Sequence, residues 1–127
     1  MTLCVVGAST GGIGALKQLL GALPPDFPAS VFVVQHTAPD GPGLLAEILA
    51  PVCALPGCFP DDGQAIERGQ VFLAPPDRHL VLGENSIRVT RGLRENCFRP
   101  SIDVLFRSAA TAFDKRVIGA ILTGYAR

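Results

Sequence analysis

The residues best suited to chemistry in this 127-residue chain lie in Gly7-Ala8-Ser9-Thr10-Gly11-Gly12, between a short apolar run and an apolar helical pattern. The first five match G-x-S-x-G, the spacing of a nucleophilic serine on a tight strand-to-helix turn. Such a turn lifts the serine oxygen clear of the backbone, and the flanking glycines leave room for a substrate. The unpaired N–H groups and positive dipole end of the following helix suit a developing oxyanion. The same glycines are also what close packing of a strand and a helix requires, so the pattern alone leaves both readings open.

A serine hydroxyl needs a base to become a nucleophile. The chain has two histidines, His36 and His79. His36 follows a second apolar run, Val31 to Val34, and a strand-helix-strand unit brings the ends of its two strands to one rim of a sheet. An imidazole there can take the serine proton and return it to a leaving group. His79 precedes an apolar strand with no such partner in view and reads as structural. A third group, an acid, should orient the imidazole. Asp40 is close in sequence to His36, Asp77 lies in a Pro-rich turn, and Asp103 suits the first turn of a helix. The position best placed is the loop after Leu122, where the sequence runs out at Arg127.

The elements that must hold these residues alternate. Leu3 to Val6 reads as a buried strand stopped by Gly7. Ile13, Leu16, Leu19, Leu20 and Leu23 recur at helical spacing, ended by Pro24-Pro25. After Val31 to Val34, Pro42 marks a helix start, with Leu44, Leu45, Ile48 and Leu49 as its apolar face. Residues 51 to 69 read as loop with one short strand. Val71 to Ala74 is a strand, and Gly83-Glu84-Asn85-Ser86 joins a hairpin. Pro100-Ser101 opens a last helix with the stripe Ile102, Leu105, Phe106, Ala109 and Phe113, and Val117 to Leu122 is a final buried strand. The expected fold is α/β, a doubly wound, mainly parallel Rossmann-like sheet, incomplete at its C-terminal end. Such folds place their sites at the carboxyl ends of the strands.

Composition sets the outer limits. A hydrophobic fraction of 48% with 17% charged residues excludes a disordered chain. No apolar run approaches the ~20 residues of a membrane span. A formal net charge of zero argues against nucleic acid as the main partner. The charge is nonetheless uneven: residues 1–83 carry 3 basic and 7 acidic side chains, residues 84–127 carry 8 basic and 4 acidic. That imbalance suits a solvated surface or a patch that steers an acidic macromolecule. No basic segment or signal precedes the first strand, so Cys4, Cys53, Cys58 and Cys97 are expected as thiols in a cytoplasmic protein, with Cys4 packed as a small hydrophobe and no zinc spacing among them.

With these residues in place, the chain resembles the catalytic domain of CheB-type protein-glutamate methylesterases of bacterial chemosensory systems. The resemblance rests on Gly7-Ala8-Ser9-Thr10-Gly11-Gly12, Val34-Gln35-His36, Arg99-Pro100-Ser101-Ile102-Asp103-Val104-Leu105-Phe106 and Ile121-Leu122-Thr123-Gly124. Smaller matches are Asp61-Asp62-Gly63 and Ala74-Pro75-Pro76-Asp77-Arg78-His79-Leu80. They occur in family order across essentially all of residues 1–127, read as a single catalytic domain without a receiver domain ahead of it.

The resemblance implies Ser9 as nucleophile and His36 as general base and acid, with Thr10 and Gly11 shaping the site and backbone near Tyr125 contributing to the oxyanion region. It implies hydrolysis of glutamate γ-methyl esters on a methyl-accepting chemoreceptor, releasing methanol, and deamidation of receptor glutamines by the same chemistry. No metal or organic cofactor is implied, nor insertion into a membrane, and a cognate methyltransferase is a further candidate partner. The family's aspartate falls four residues beyond the equivalent of Gly124, one position past Arg127. Phe98 stands where the family usually has histidine, and Tyr125 replaces a common methionine.

Two other readings compete. One is a catalytically dead fragment that binds a receptor or partner enzyme, favoured by the missing acid. The other is a nucleotide-binding oxidoreductase, because Gly7 to Gly14 partly matches the glycine turn of short-chain dehydrogenases. There the register fails, since Ile13 stands where a glycine is required, and with Tyr125 the only tyrosine the Tyr-x-x-x-Lys pair is absent.

Overall fold

The computed structural model describes residues 2–8, 12–35, 45–91, 102–113 and 116–122. Five strands, β1 (Leu3–Ala8), β2 (Ser30–Gln35), β3 (Gly57–Cys58), β4 (Val71–Leu73) and β7 (Val117–Leu122), form one sheet in the order β3-β4-β2-β1-β7. Every pairing in it is parallel. Helix α1 (Ile13–Gly21) links β1 to β2, α2 (Leu45–Leu49) precedes β3, and α3 (Ile102–Phe113) precedes β7. Between β4 and α3, β5 (His79–Leu82) and β6 (Ile87–Thr90) form a separate antiparallel hairpin.

The sheet is covered on both sides because its apolar residues alternate. On one face Leu3, Val5, Phe32, Val34 and Phe72 pack with Leu105, Ala109 and Phe113 of α3 and with Leu80, Leu82 and Ile87 of the hairpin. The Phe32 and Phe72 rings stack there with centroids 5.1 Å apart. On the other face Val6, Val31, Val33, Val71 and Leu73 pack with Leu16 and Leu20 of α1 and Leu45 and Leu49 of α2. This two-sided burial is what continuous apolar strands in a parallel sheet predict. His79 is buried in β5 opposite Thr90. Cys4 is half-buried, its thiol pushed up by burial, and Cys4, Cys53 and Cys58 are free thiols.

Two expectations need correction. Gly7 does not stop the first strand, which continues through Ala8. Its missing side chain serves packing instead, since a Cβ there would lie 2.6 Å from Cγ2 of Ile102. Nor is β7 buried. It lies at the end of the strand order, paired only with β1 among the described strands, and leaves Ile118 60% and Ile121 58% exposed. The second helix is short, Leu45–Leu49, and its expected start at Pro42 and Leu44 lies outside the described residues, as do Pro100-Ser101 and Cys97.

Candidate functional site at the carboxyl rim

The site is defined by where three strands end. Ala8 is the register partner of Gln35 on one side and of Leu122 on the other. The chain therefore leaves the sheet after β2, β1 and β7 at one level, from three adjacent strands about 4.8 Å apart. Ser9 is bonded to Ala8 and His36 to Gln35, while Thr123 follows Leu122. Ser9, Thr10, Gly11, His36 and Tyr125 themselves lie outside the described residues, as does Asp40. Their strands are brought together; their side chains are not described.

The elements behind this rim are tightly placed. Gly12 immediately precedes α1, and a Cβ on it would lie 3.0 Å from the Leu122 carbonyl oxygen and 3.3 Å from the Ala8 Cβ. The N-terminal end of α1 is thus pressed against the ends of β1 and β7 together. Its first N–H groups and positive dipole end therefore lie at this rim. On the opposite face, the start of α3 is held against the same strand by Gly7 and Ile102. Both glycines of the motif that the structure describes have a packing role, which is compatible with chemistry in the loop between them.

The rim continues past β2. The Ala74 N–H donates to the Val33 carbonyl at 2.9 Å, so the turn after β4 leaves the sheet beside the end of β2. In that turn Asp77 has φ of 59°, a left-handed conformation that aspartate tolerates better than most residues. The Arg91 guanidinium donates from Nη2 to Asp77 Oδ2 at 2.9 Å, and Arg78 Nη1 donates to the Asp77 carbonyl at 2.9 Å. Asp77, one of the acid candidates, is thus ion-paired to arginine. Asp103 is exposed in the first turn of α3, where its charge complements the helix dipole. The arginine pair was not singled out from the sequence, because Arg78 and Arg91 meet only through the hairpin between them.

A further cluster explains Asp61-Asp62-Gly63. Asp62 Oδ1 accepts from Arg88 Nε and from the Val89 N–H, each at 2.9 Å, while the Gly63 N–H donates to the Ile87 carbonyl. These bonds hold the loop before β4 to the hairpin, and they lower the Asp62 carboxyl below the usual range, chiefly through the Val89 N–H and then Arg88. A cavity of about 20 Å³ between α1, α2 and β4, lined by residues such as Leu20, Leu49, Leu55 and Leu73, is apolar and water-sized, a packing void rather than a binding site. Among the described residues no three His, Cys, Asp or Glu side chains gather as metal ligands, and no described helix is long and apolar enough to cross a membrane.

Comparison with known proteins then decides the family. The family model for CheB methylesterase matches residues 4–127. The chain belongs to the CheB methylesterase family. It is 44% identical over 123 residues to protein-glutamate methylesterase/protein-glutamine glutaminase 2 of Anaeromyxobacter dehalogenans, covering 97% of this chain and 36% of that one. It is 37% identical over 131 residues to protein-glutamate methylesterase/protein-glutamine glutaminase of Treponema pallidum, covering 100% of this chain and 32% of the relative. The chain therefore spans about a third of the length of these relatives. The catalytic domain of Thermotoga maritima CheB methylesterase superposes with a TM-score of 0.91 at 32% identity, covering 99% of this chain and 69% of that one. The CheB fold accounts for the parallel five-stranded sheet and for the flanking helices.

Proposed function

We propose that this chain carries the nucleophile and base of a protein-glutamate methylesterase that also deamidates glutamine, acting on chemoreceptors. Ser9 Oγ attacks the γ-carbonyl carbon of a glutamyl methyl ester as His36 takes the hydroxyl proton. The tetrahedral oxyanion is held by backbone N–H groups around Thr10, Gly11 and the segment carrying Tyr125. Collapse breaks the bond to the methoxy oxygen, which leaves as methanol with the proton from His36. Water, deprotonated by His36, then attacks the acyl-serine and frees the glutamate carboxyl and the Ser9 hydroxyl. On a glutamine side chain the same two steps release ammonia.

The observation that supports this reading is the register of Ala8 with Gln35 and Leu122. It makes β1, which precedes Ser9 in the sequence, the middle of three strands that end level, with β2, which precedes His36, on one side and β7 on the other. In this proposal the acid is the family aspartate, one position past Arg127 in the longer domain. Residues 1–127 form part of one catalytic domain, and the reaction takes place in the cytoplasm.

The test is covalent labelling followed by turnover. A fluorophosphonate should label the chain extended through the next loop and fail on its Ser9→Ala variant. Methanol release from a methylated receptor fragment should rise by a factor on the order of 10⁴ when the chain is extended through the next loop, the usual worth of a triad acid. Unlabelled Ser9, or equal turnover by the two lengths, would count against the assignment.

A further inference from the structure

The turn after β4 holds two guanidinium groups, Arg78 and Arg91, around the single carboxylate of Asp77. Arg91 is 2.9 Å from Asp77 Oδ2 and Arg78 3.9 Å from the same oxygen. The two arginine side chains are 38% and 57% exposed, whereas Asp77 is only 17% exposed. The carboxylate is therefore largely covered, and both guanidinium groups reach solvent. Their placement is stiff: Pro75-Pro76 fix the approach, and the left-handed Asp77 turns the chain back into β5. The cluster stands at the end of β4, and β4 adjoins β2, the strand that leads into His36.

From this we infer that Arg78 and Arg91 form a subsite for an acidic segment of the protein substrate, on the β4 flank of the carboxyl rim. The inference rests on the hydrolase reading above and adds to it which part of the substrate is held, and by what. The chemistry supplies the match. Each ester hydrolysed or glutamine deamidated leaves a glutamate on the substrate, so a segment with several such positions becomes more anionic as it is processed. Guanidinium groups pair with carboxylates in a planar, bidentate manner, and an arginine already steadied by Asp77 loses less freedom on pairing again. The cluster lies on the β4 flank of the rim, so an extended or helical acidic segment held there would run from β4 across β2 toward β1.

The experiment is fluorescence anisotropy with the full chain and a fluorescein-labelled, glutamate-rich peptide bearing one glutamyl γ-methyl ester. A twin peptide has its free glutamates replaced by glutamine. The acidic peptide should bind more tightly than its twin, with an affinity that falls as salt rises. Arg78→Glu and Arg91→Glu should each weaken it about fivefold, and Arg78→Lys or Arg91→Lys, which keep the charge without the planar fork, should recover only part of the loss. Arg68→Glu, before the opposite end of β4, should leave binding unchanged. Because Arg91→Glu sets two carboxylates together, Arg91→Gln serves if that variant does not fold.

Equal binding of the two peptides, or reversal variants that bind like wild type, would overturn the subsite. Fluorophosphonate labelling of Ser9 in the chain extended through the next loop reads the hydrolase assignment separately. Arginine-dependent binding with an unreactive Ser9 overturns that assignment alone. A reactive Ser9 with arginine-independent binding overturns the subsite alone.

Discussion

Gly7 and Ile102 approach so closely that a Cβ on Gly7 would lie 2.6 Å from Ile102 Cγ2 and 2.9 Å from Cγ1 and Cδ1. The strand that leads into Ser9 and the first residue of α3 are thus packed against each other with no space for a methyl group. This contact sets the depth at which α3 meets the sheet.

Gly7→Ala should therefore destabilise the chain by about 1–3 kcal/mol, the usual cost of overpacking. Denaturant unfolding measures it. The double variant Gly7→Ala/Ile102→Ala should lose less than the two single variants together, since shortening Ile102 opens the space that the new methyl needs. Strict additivity would show that the contact is not the cause.

Two glycines at the start of α1 should respond in opposite directions. Gly12→Ala meets the Leu122 carbonyl at 3.0 Å, a backbone atom held in the sheet, and should destabilise the fold. Gly14 lies inside the helix with nothing within 4 Å of a new Cβ. Gly14→Ala should stabilise by about 0.5–1 kcal/mol, by removing the entropy that glycine brings to the unfolded chain. Thermal melts of the two variants check both signs, and Gly12→Ala should also slow fluorophosphonate labelling of Ser9 by displacing the rim.

These glycines show how much of the fold could be read in advance. The runs Leu3 to Val6 and Val31 to Val34, the stripe from Leu16 to Leu20 and the hairpin around Gly83 were legible because each signal is local: apolar period, turn chemistry or a proline stop. Gly7 was legible as a break but not as a strand residue, because its reason lies in Ile102, far along the chain. β7 reads as buried because its six residues are apolar, yet burial depends on how many neighbours a strand has, and that is a tertiary property. For the same reason Asp62 carried a motif match but no role, and Asp77 a motif match and a place among the acid candidates but no arginine partner, since Arg88, Val89 and Arg91 reach them only once the hairpin is in place. The rim itself was legible from strand order, and the alignment of Ala8 with Gln35 and Leu122 adds the register.

Asp62 gives a pH dependence. Its carboxyl is lowered in the folded state by the Val89 N–H and by Arg88. A depressed carboxylate contributes stability that is fully present above its unfolded pKa, near 3.9 for aspartate, and lost as pH falls toward the lower folded value. The wild-type Tm should thus fall as pH drops below about 5, and Asp62→Asn should flatten part of that decline while lowering the Tm at neutral pH. Because the side chain is exposed, added salt should shrink the contribution that Arg88 makes and leave the Val89 bond largely intact.

The β7 edge predicts association of the 127-residue chain. Gly119 meets Phe106 on the α3 side and Leu122 packs on the α1 side, so by strand alternation Ile121 and Ile118 lie on opposite faces. With Ile118 60% and Ile121 58% exposed, both faces of one strand end show apolar surface. The strand, Val-Ile-Gly-Ala-Ile-Leu, carries no charge or proline to discourage pairing with another copy. Sedimentation should therefore show concentration-dependent oligomers, with dye binding to exposed apolar surface. Ile118→Lys/Ile121→Lys should shift the chain toward monomer and reduce the dye signal at little cost in Tm, because neither residue is buried. A wild-type chain that sediments as a monomer at every concentration, silent to the dye, would show that this edge is not available for pairing.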